Sequence, residues 1–182
     1  LPKQSETLDL AFTVNYIQAD ETGTNVTDNG VIKKAYEVIS GDLQNQLSAS
    51  TISVSNTDIS HLGIYSACST FVEGIIIASM FLNNEKNNII VSSSSHNLVS
   101  EKQFRFPVEY GAVRRKVNTC TASGSISILL SKNKSNIKVE SGTIGNVIQT
   151  NHKDANDMGS AMAIACANTI IKHLNDTNRE VD

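Results

Sequence analysis

Between Phe71 and Leu82 the chain is apolar on nearly every side of a helix. Phe71, Val72, Ile75, Ile76, Ile77, Met80, Phe81 and Leu82 leave no polar face, and Glu73 is the one charged residue among the twelve. A helix of this kind is ordinarily buried all round, as between two sheets. It is also too short to cross a bilayer, which needs about 20 residues. The sequence around it must therefore supply the layers that cover it. The run His61 to Ser66 reads as a short strand just before the helix, and Asn87 to Ser94 as a buried strand just after it. Apolar runs alternating with amphipathic stretches point to an α/β fold.

The remaining elements fit the same pattern. Ser5 to about Ala19 predicts a first helix, with Leu8, Phe12 and either Leu10 or Ala11 at helical spacing and an acceptable N-terminus at Ser5-Glu6. Asp20 to Gly30 is a polar loop. Ala35 to Ser40 alternates as a strand that stops at Gly41-Asp42, and Gln44 to Asn56 is a weaker helix rich in Ser and Thr. Glu101 and Arg105 are placed to pair on one short helical turn that Pro107 ends. Thr121 to Ser131 reads as a strand, and Ile137 to Ile148 as a second strand able to pair antiparallel with it. Ala155 to Leu174 is the last helix, with Met158, Met162, Ala165 and Ile170 as inner positions. No repeat and no low-complexity tail occur, so residues 1–182 are expected to form a single domain.

Composition narrows the classes of function. The chain of 182 residues carries 15 Lys+Arg against 18 Asp+Glu, a formal net charge of −3. Phosphate binding needs a cationic face, so nucleic acid is an unsuitable partner. The single basic cluster, Arg114-Arg115-Lys116, reads as a solvated loop. The N-terminal residues have no charged-then-apolar leader pattern, and no stretch reads as a membrane span. The 3 cysteines, Cys68, Cys120 and Cys166, are widely spaced and include no CxxC pair. A disulfide framework is not expected, and a reducing compartment suits the chain better.

Cys68 is the leading candidate for chemistry. It sits between a strand and the start of the apolar helix, where backbone N–H groups and the helix dipole favour a thiolate or a ligand carboxylate. A small cysteine simply packed at a helix start is the alternative. Asp42 closes a strand, where a carboxylate can face a ligand crevice at a sheet edge or cap the next helix. Ser92 to Asn97 offers hydroxyls, an imidazole and an amide, although alternation puts Ser95 and His96 on opposite faces. A lone His such as His96 is more often a satisfied structural residue than a catalyst. His152, Asp154 and Asp157 lack a further His or Cys at ligand spacing and read as solvated loop. His61 and His173 carry no signal by themselves.

Several strings together resemble one family. They are Gly41-Asp42-Leu43-Gln44-Asn45-Gln46, Ala67-Cys68-Ser69-Thr70, Ser93-Ser94-Ser95-His96-Asn97, and the run from Glu101 to Gly111. Thr121-Ala122-Ser123-Gly124-Ser125 and Met158-Gly159-Ser160-Ala161-Met162-Ala163 follow in the same order. The chain from about Ala35 onward resembles the stage V sporulation protein AD family. The resemblance implies a thiolase-like α/β half-domain with a mixed, mostly parallel sheet and flanking helices, in which Cys68 takes the place of the thiolase nucleophile and Ser69 to Leu82 that of the buried central helix. It also implies that the chain corresponds to the first half of a longer protein, without its opening strand.

The implied function is binding dipicolinic acid, with its calcium, for uptake into the developing bacterial spore. The implied setting is the cytoplasmic side of the spore inner membrane, peripherally, beside membrane proteins of the same operon. The expected ligand-binding set is Asp42, Cys68, Ser69, Thr70, Ser95, His96 and Asn97. Asp42 would repel a bare carboxylate and is expected to help only where calcium bridges the two. No cofactor is expected beyond calcium carried by the ligand. The rival reading is a thiolase-like acyltransferase or condensing enzyme with Cys68 as nucleophile. A third is a half-domain that folds only with its missing partner half or self-associates through its apolar helix.

Overall fold

The computed structural model describes residues 13–15, 35–43, 47–82, 87–95, 124–132, 137–154 and 157–181. The chain divides into two compact units, residues 1–139 and 140–182. In the first, strands β1 (Thr13–Asn15), β2 (Glu37–Asp42), β3 (Ser60–Gly63), β4 (Asn88–Ser95) and β5 (Gly124–Ser131) form one sheet. The strand order is β1-β5-β4-β2-β3. β2 pairs in parallel with both β3 and β4, whereas β5 runs antiparallel to β4 and to β1, so the sheet is mixed.

Strand alternation assigns the two faces. Ile39, Val91, Ile64 and their neighbours face helix α2 (Thr70–Phe81). α2 comes so close that a Cβ added at Gly74 would lie 2.7 Å from Val91 Cγ1 and 3.2 Å from Ile64 Cδ1. The opposite face meets α1 (Ser48–Val54), whose preceding residue Leu47 packs against Gly63. Covering both faces is what parallel strands require. It also explains why Val38, Ile39, Ile89, Ile90 and Val91 are all buried despite alternating in direction.

Three sequence expectations differ from this arrangement. The predicted first helix, Ser5 to Ala19, contains β1 at Thr13–Asn15, where β-branched Thr13 and Val14 pair with Leu129 and Ile128 of β5; the rest of that stretch lies outside the described residues. Ile137 to Ile148 forms no strand beside β5. One edge of β5 is taken by β4 along its whole length, and the middle of the other, Ser127 to Leu129, by β1. Third, α2 is not buried all round: among the described residues the sheet covers one side of it. Thr70, Gly74 and Ala78 are buried, while Val72 and Met80 are 56% and 62% exposed. A single sheet can cover only one side of a helical cylinder. The predicted pair Glu101 and Arg105 lies outside the described residues.

The second unit holds α3 (Met158–Thr177), capped at its start by Asp157, whose Oδ1 accepts from the Ser160 N–H at 3.1 Å. Asn178, in the left-handed region at φ 51°, ends it. The half-buried residues follow an i, i+4 line through Ala161, Ala165, Thr169 and His173 rather than the predicted Met162 and Ile170, which are half exposed. This line carries small and polar side chains: Thr169 packs on Gly145, and His173 Nδ1 lies 2.8 Å from Thr143 Oγ1. Glu140 and Arg179 form an ion pair.

Candidate functional site

β2, β3 and β4 run parallel, so their C-terminal ends lie along one edge of the sheet. That edge receives Asp42 from the end of β2, the turn leading to Cys68 from β3, and Ser95 from the end of β4. In open α/β sheets this is the edge where ligands bind. The three predicted segments therefore meet at one edge through topology alone, although each comes from a different part of the chain.

The Cys68 turn is built locally. Ile64 leaves β3 with its N–H bonded to Ser40 O at 3.0 Å. Gly41 makes this exit possible, because its backbone lies directly against the Ile64 carbonyl and 2.7 Å separates a hypothetical Cβ from Thr70 Cγ2. A single turn of 3-10 helix, Ala67–Ser69, then precedes α2. Ala67 adopts φ 48°, a conformation costly for a residue with a Cβ. The turn is held by Ser69 N–H and Ser69 Oγ, both donating to Ser66 O at 3.0 and 2.7 Å. Thr70 is fully buried, and its Oγ1 accepts from Ser66 N–H while donating to Ala67 O. The sequence expectation gave this helix end free N–H groups for an anion. The first of them are occupied, since Ser69 N bonds Ser66 O and Thr70 N bonds Ala67 O.

Cys68 itself is exposed, so the thiol is presented at the turn rather than packed inside. Asp42 is the opposite case. It is 1% exposed, and its Oδ2 accepts from Ser94 Oγ at 2.8 Å, across the register that pairs Asp42 with Ser94. As placed, the carboxylate ties β2 to β4 and meets no solvent. Leu43 N–H reinforces that tie by bonding Ser94 O at 2.9 Å. Ser95 is half-buried, and His96 and Asn97 lie outside the described residues.

Two features escaped the sequence reading. His61 hydrogen-bonds Ser40, with 2.9 Å between His61 Nε2 and Ser40 Oγ. Burial pushes the His61 imidazole below its ordinary pKa. Glu73, in the first turn of α2, has Oε2 sealed from solvent without a hydrogen-bond partner. Neither has a sequence signature, because each depends on which neighbour the fold brings near. Among the described residues no group of three or more His, Cys, Asp and Glu gathers as a metal site. No described helix is long and apolar enough to cross a membrane.

Comparison with known proteins agrees with this geometry. Stage V sporulation protein AD of Bacillus subtilis (strain 168) is 33% identical over 168 residues, covering 91% of this chain and 50% of that protein. The chain thus spans about half the length of the curated relative it matches. Among solved structures, a variant of OleA from Xanthomonas campestris superposes with a TM-score of 0.57 at 13% identity, over 82% of this chain and 52% of its own. AbyA1, a tetronic acid condensing enzyme, gives 0.53 at 14% identity, over 81% of this chain and 52% of its own. At such identities the likeness concerns the fold, which is thiolase-like. Residues 17–182 match the family described as stage V sporulation protein AD (SpoVAD), and the chain belongs to that family.

Proposed function

We propose that this sporulation protein binds dipicolinic acid, or its calcium chelate, for uptake into the developing spore. The observation that carries the reading is the single sheet edge where the exposed Cys68-Ser69 turn and Ser95 lie at the ends of parallel strands. Dipicolinate is a planar dianion, and donors at such an edge suit it. Cys68, Ser69 and Ser95, continued by His96 and Asn97, form the proposed contact set. Asp42 and Thr70 act as its frame, since both are buried and their side chains are engaged with Ser94, Ser66 and Ala67. Membrane proteins of the same operon are the proposed partners, with the chain peripheral on the cytoplasmic side of the spore inner membrane.

Calorimetric titration with dipicolinate, with and without calcium, tests this for the wild type and Asp42→Asn. Saturable heat in the wild type is expected, with Asp42→Asn retaining the calcium response of the wild type. Absence of binding in both forms of the ligand overturns the reading. A calcium response confined to the wild type would restore Asp42 as a bridging acid.

A second reading has its own supporting observation. Ala67 holds a strained left-handed conformation immediately before an exposed thiol at a helix start, and strained backbone of this kind clusters at active sites. This is the acyltransferase alternative, with Cys68 as nucleophile. Cys166, also free and exposed, is an internal reference for its reactivity. Iodoacetamide near neutral pH should alkylate Cys68 well ahead of Cys166 under this reading. Equal rates at the two thiols favour the binding role.

A further inference from the structure

The sheet face that meets α1 carries a hydrogen-bonded pair, with one titratable member, that the site does not use. His61 and Ser40 lie on adjacent parallel strands, on the same face, with His61 beside Val38 in the register. Ser40 is 3% exposed and His61 half-buried, and 2.9 Å separates Ser40 Oγ from His61 Nε2. The same Ser40 accepts the Ile64 N–H through its carbonyl at 3.0 Å. Ile64 is the last residue of the β3 path before the turn that presents Cys68. Ser40 therefore holds β3 at two points, one through its side chain and one through its backbone.

We infer that the His61–Ser40 hydrogen bond is a pH-sensitive clasp: neutral His61 keeps β3 docked on β2, and protonation of the imidazole loosens β3 together with the turn that carries Cys68. The physical basis is that an imidazolium only donates: Nε2–H then points at Ser40 Oγ, and the Ser40 hydroxyl hydrogen, in a residue 3% exposed, loses that nitrogen as its acceptor. Whichever nitrogen is protonated in the neutral ring, the added charge must also be carried in a half-buried position. Burial is the cause of the His61 shift, and the charged groups of the described elements around it are placed as follows. α1, which covers this face, contains no titratable residue between Ser48 and Val54. Asp42 lies on the same face of β2 but bonds Ser94 on β4, the side of β2 away from β3. Glu37 alternates to the opposite face, and Asp58 is exposed in the turn before β3.

The sign follows from linkage. Burial lowers the folded-state pKa of His61 below its ordinary value of 6.5. Above that ordinary value the docked strand keeps its full stability. As pH falls below it, toward the lower folded value, the undocked form takes up a proton that the docked form does not, and stability is lost.

Hydrogen exchange on the full chain tests the clasp without any ligand, so its outcome is separate from that of dipicolinate binding. The Ile64 amide reports β3 docking, and the β4–β5 amides serve as reference. Between about pH 7.5 and about pH 5.5, Ile64 protection should fall severalfold more than the reference; one proton permits at most about tenfold per pH unit. His61→Gln and Ser40→Ala should each remove that extra fall, and either variant alone suffices if the other does not fold. Parallel loss at Ile64 and the reference in the wild type overturns the inference. So does an undiminished extra fall in a folded variant.

Discussion

Gly41 lies directly beneath the backbone carbonyl of Ile64, and a Cβ at this position would also stand 2.7 Å from Thr70 Cγ2. Two of the three things it would strike belong to the Ile64 backbone, so the collision cannot be relieved by a rotamer change. This contact seats the Cys68 turn on the sheet. Gly41→Ala should destabilise the chain by about 1–3 kcal/mol. It should also raise the exchange rate of the Ile64 amide more than those of β4 and β5. Chemical denaturation checks the first effect; an unchanged midpoint would mean that the turn does not rest on β2.

Across the centre of the sheet, Ser127 Oγ donates to Ser92 Oγ at 2.8 Å, and Ser92 Oγ donates onward to Ile126 O at 3.2 Å. Both serines are 7% exposed, so water is a poor substitute partner. Ser92→Ala strands the Ser127 hydroxyl and should cost about 1–3 kcal/mol. Replacing both with Ala removes donor and acceptor together and should cost less than the two single changes summed. Denaturation midpoints of the four proteins form the cycle; strict additivity would show that the hydroxyls act independently.

At the start of α3, hydrogen bonds from the Ser160 side chain and backbone hold the Asp157 carboxyl below the ordinary carboxylate value, and His152 lies 3.7 Å away. A lowered acid contributes above its ordinary pKa and loses that contribution as pH falls through its folded value. The α3 helix should therefore fray on acidification into the carboxylate range. Asp157→Ala should show reduced helicity already at neutral pH and less further change in acid. Residue-level chemical shifts over residues 158–164 measure both. A wild type whose first turn is insensitive to acid would remove the cap.

How much of this was legible in advance varies with the range of the interactions involved. The helix around Phe71 to Leu82 and the strands beside it were readable because apolar periodicity is local. The alternating strand Ala35 to Ser40, the buried run Asn87 to Ser94 and the helix start at Ser69 were readable for the same reason, whereas Asp157, read as solvated loop, caps α3. The pairing of β5 was not. Its alternating sequence is equally suited to a hairpin with Ile137 to Ile148 and to the β1 and β4 edges it occupies. Nor could Thr13–Asn15 be told from a helical segment, since three residues carry too little pattern to outvote their neighbours.

The sequence by itself determined an α/β chain, its family, and a cysteine at the junction of a strand and an apolar helix. Those features depend on residue type and on spacing within a few turns. Only the tertiary structure decided that Asp42 is spent on Ser94, that His61 meets Ser40, and that α2 leaves Val72 and Met80 uncovered. Each of these depends on which strand becomes whose neighbour. That choice is made by burial summed over the whole sheet, and no local stretch of sequence contains it.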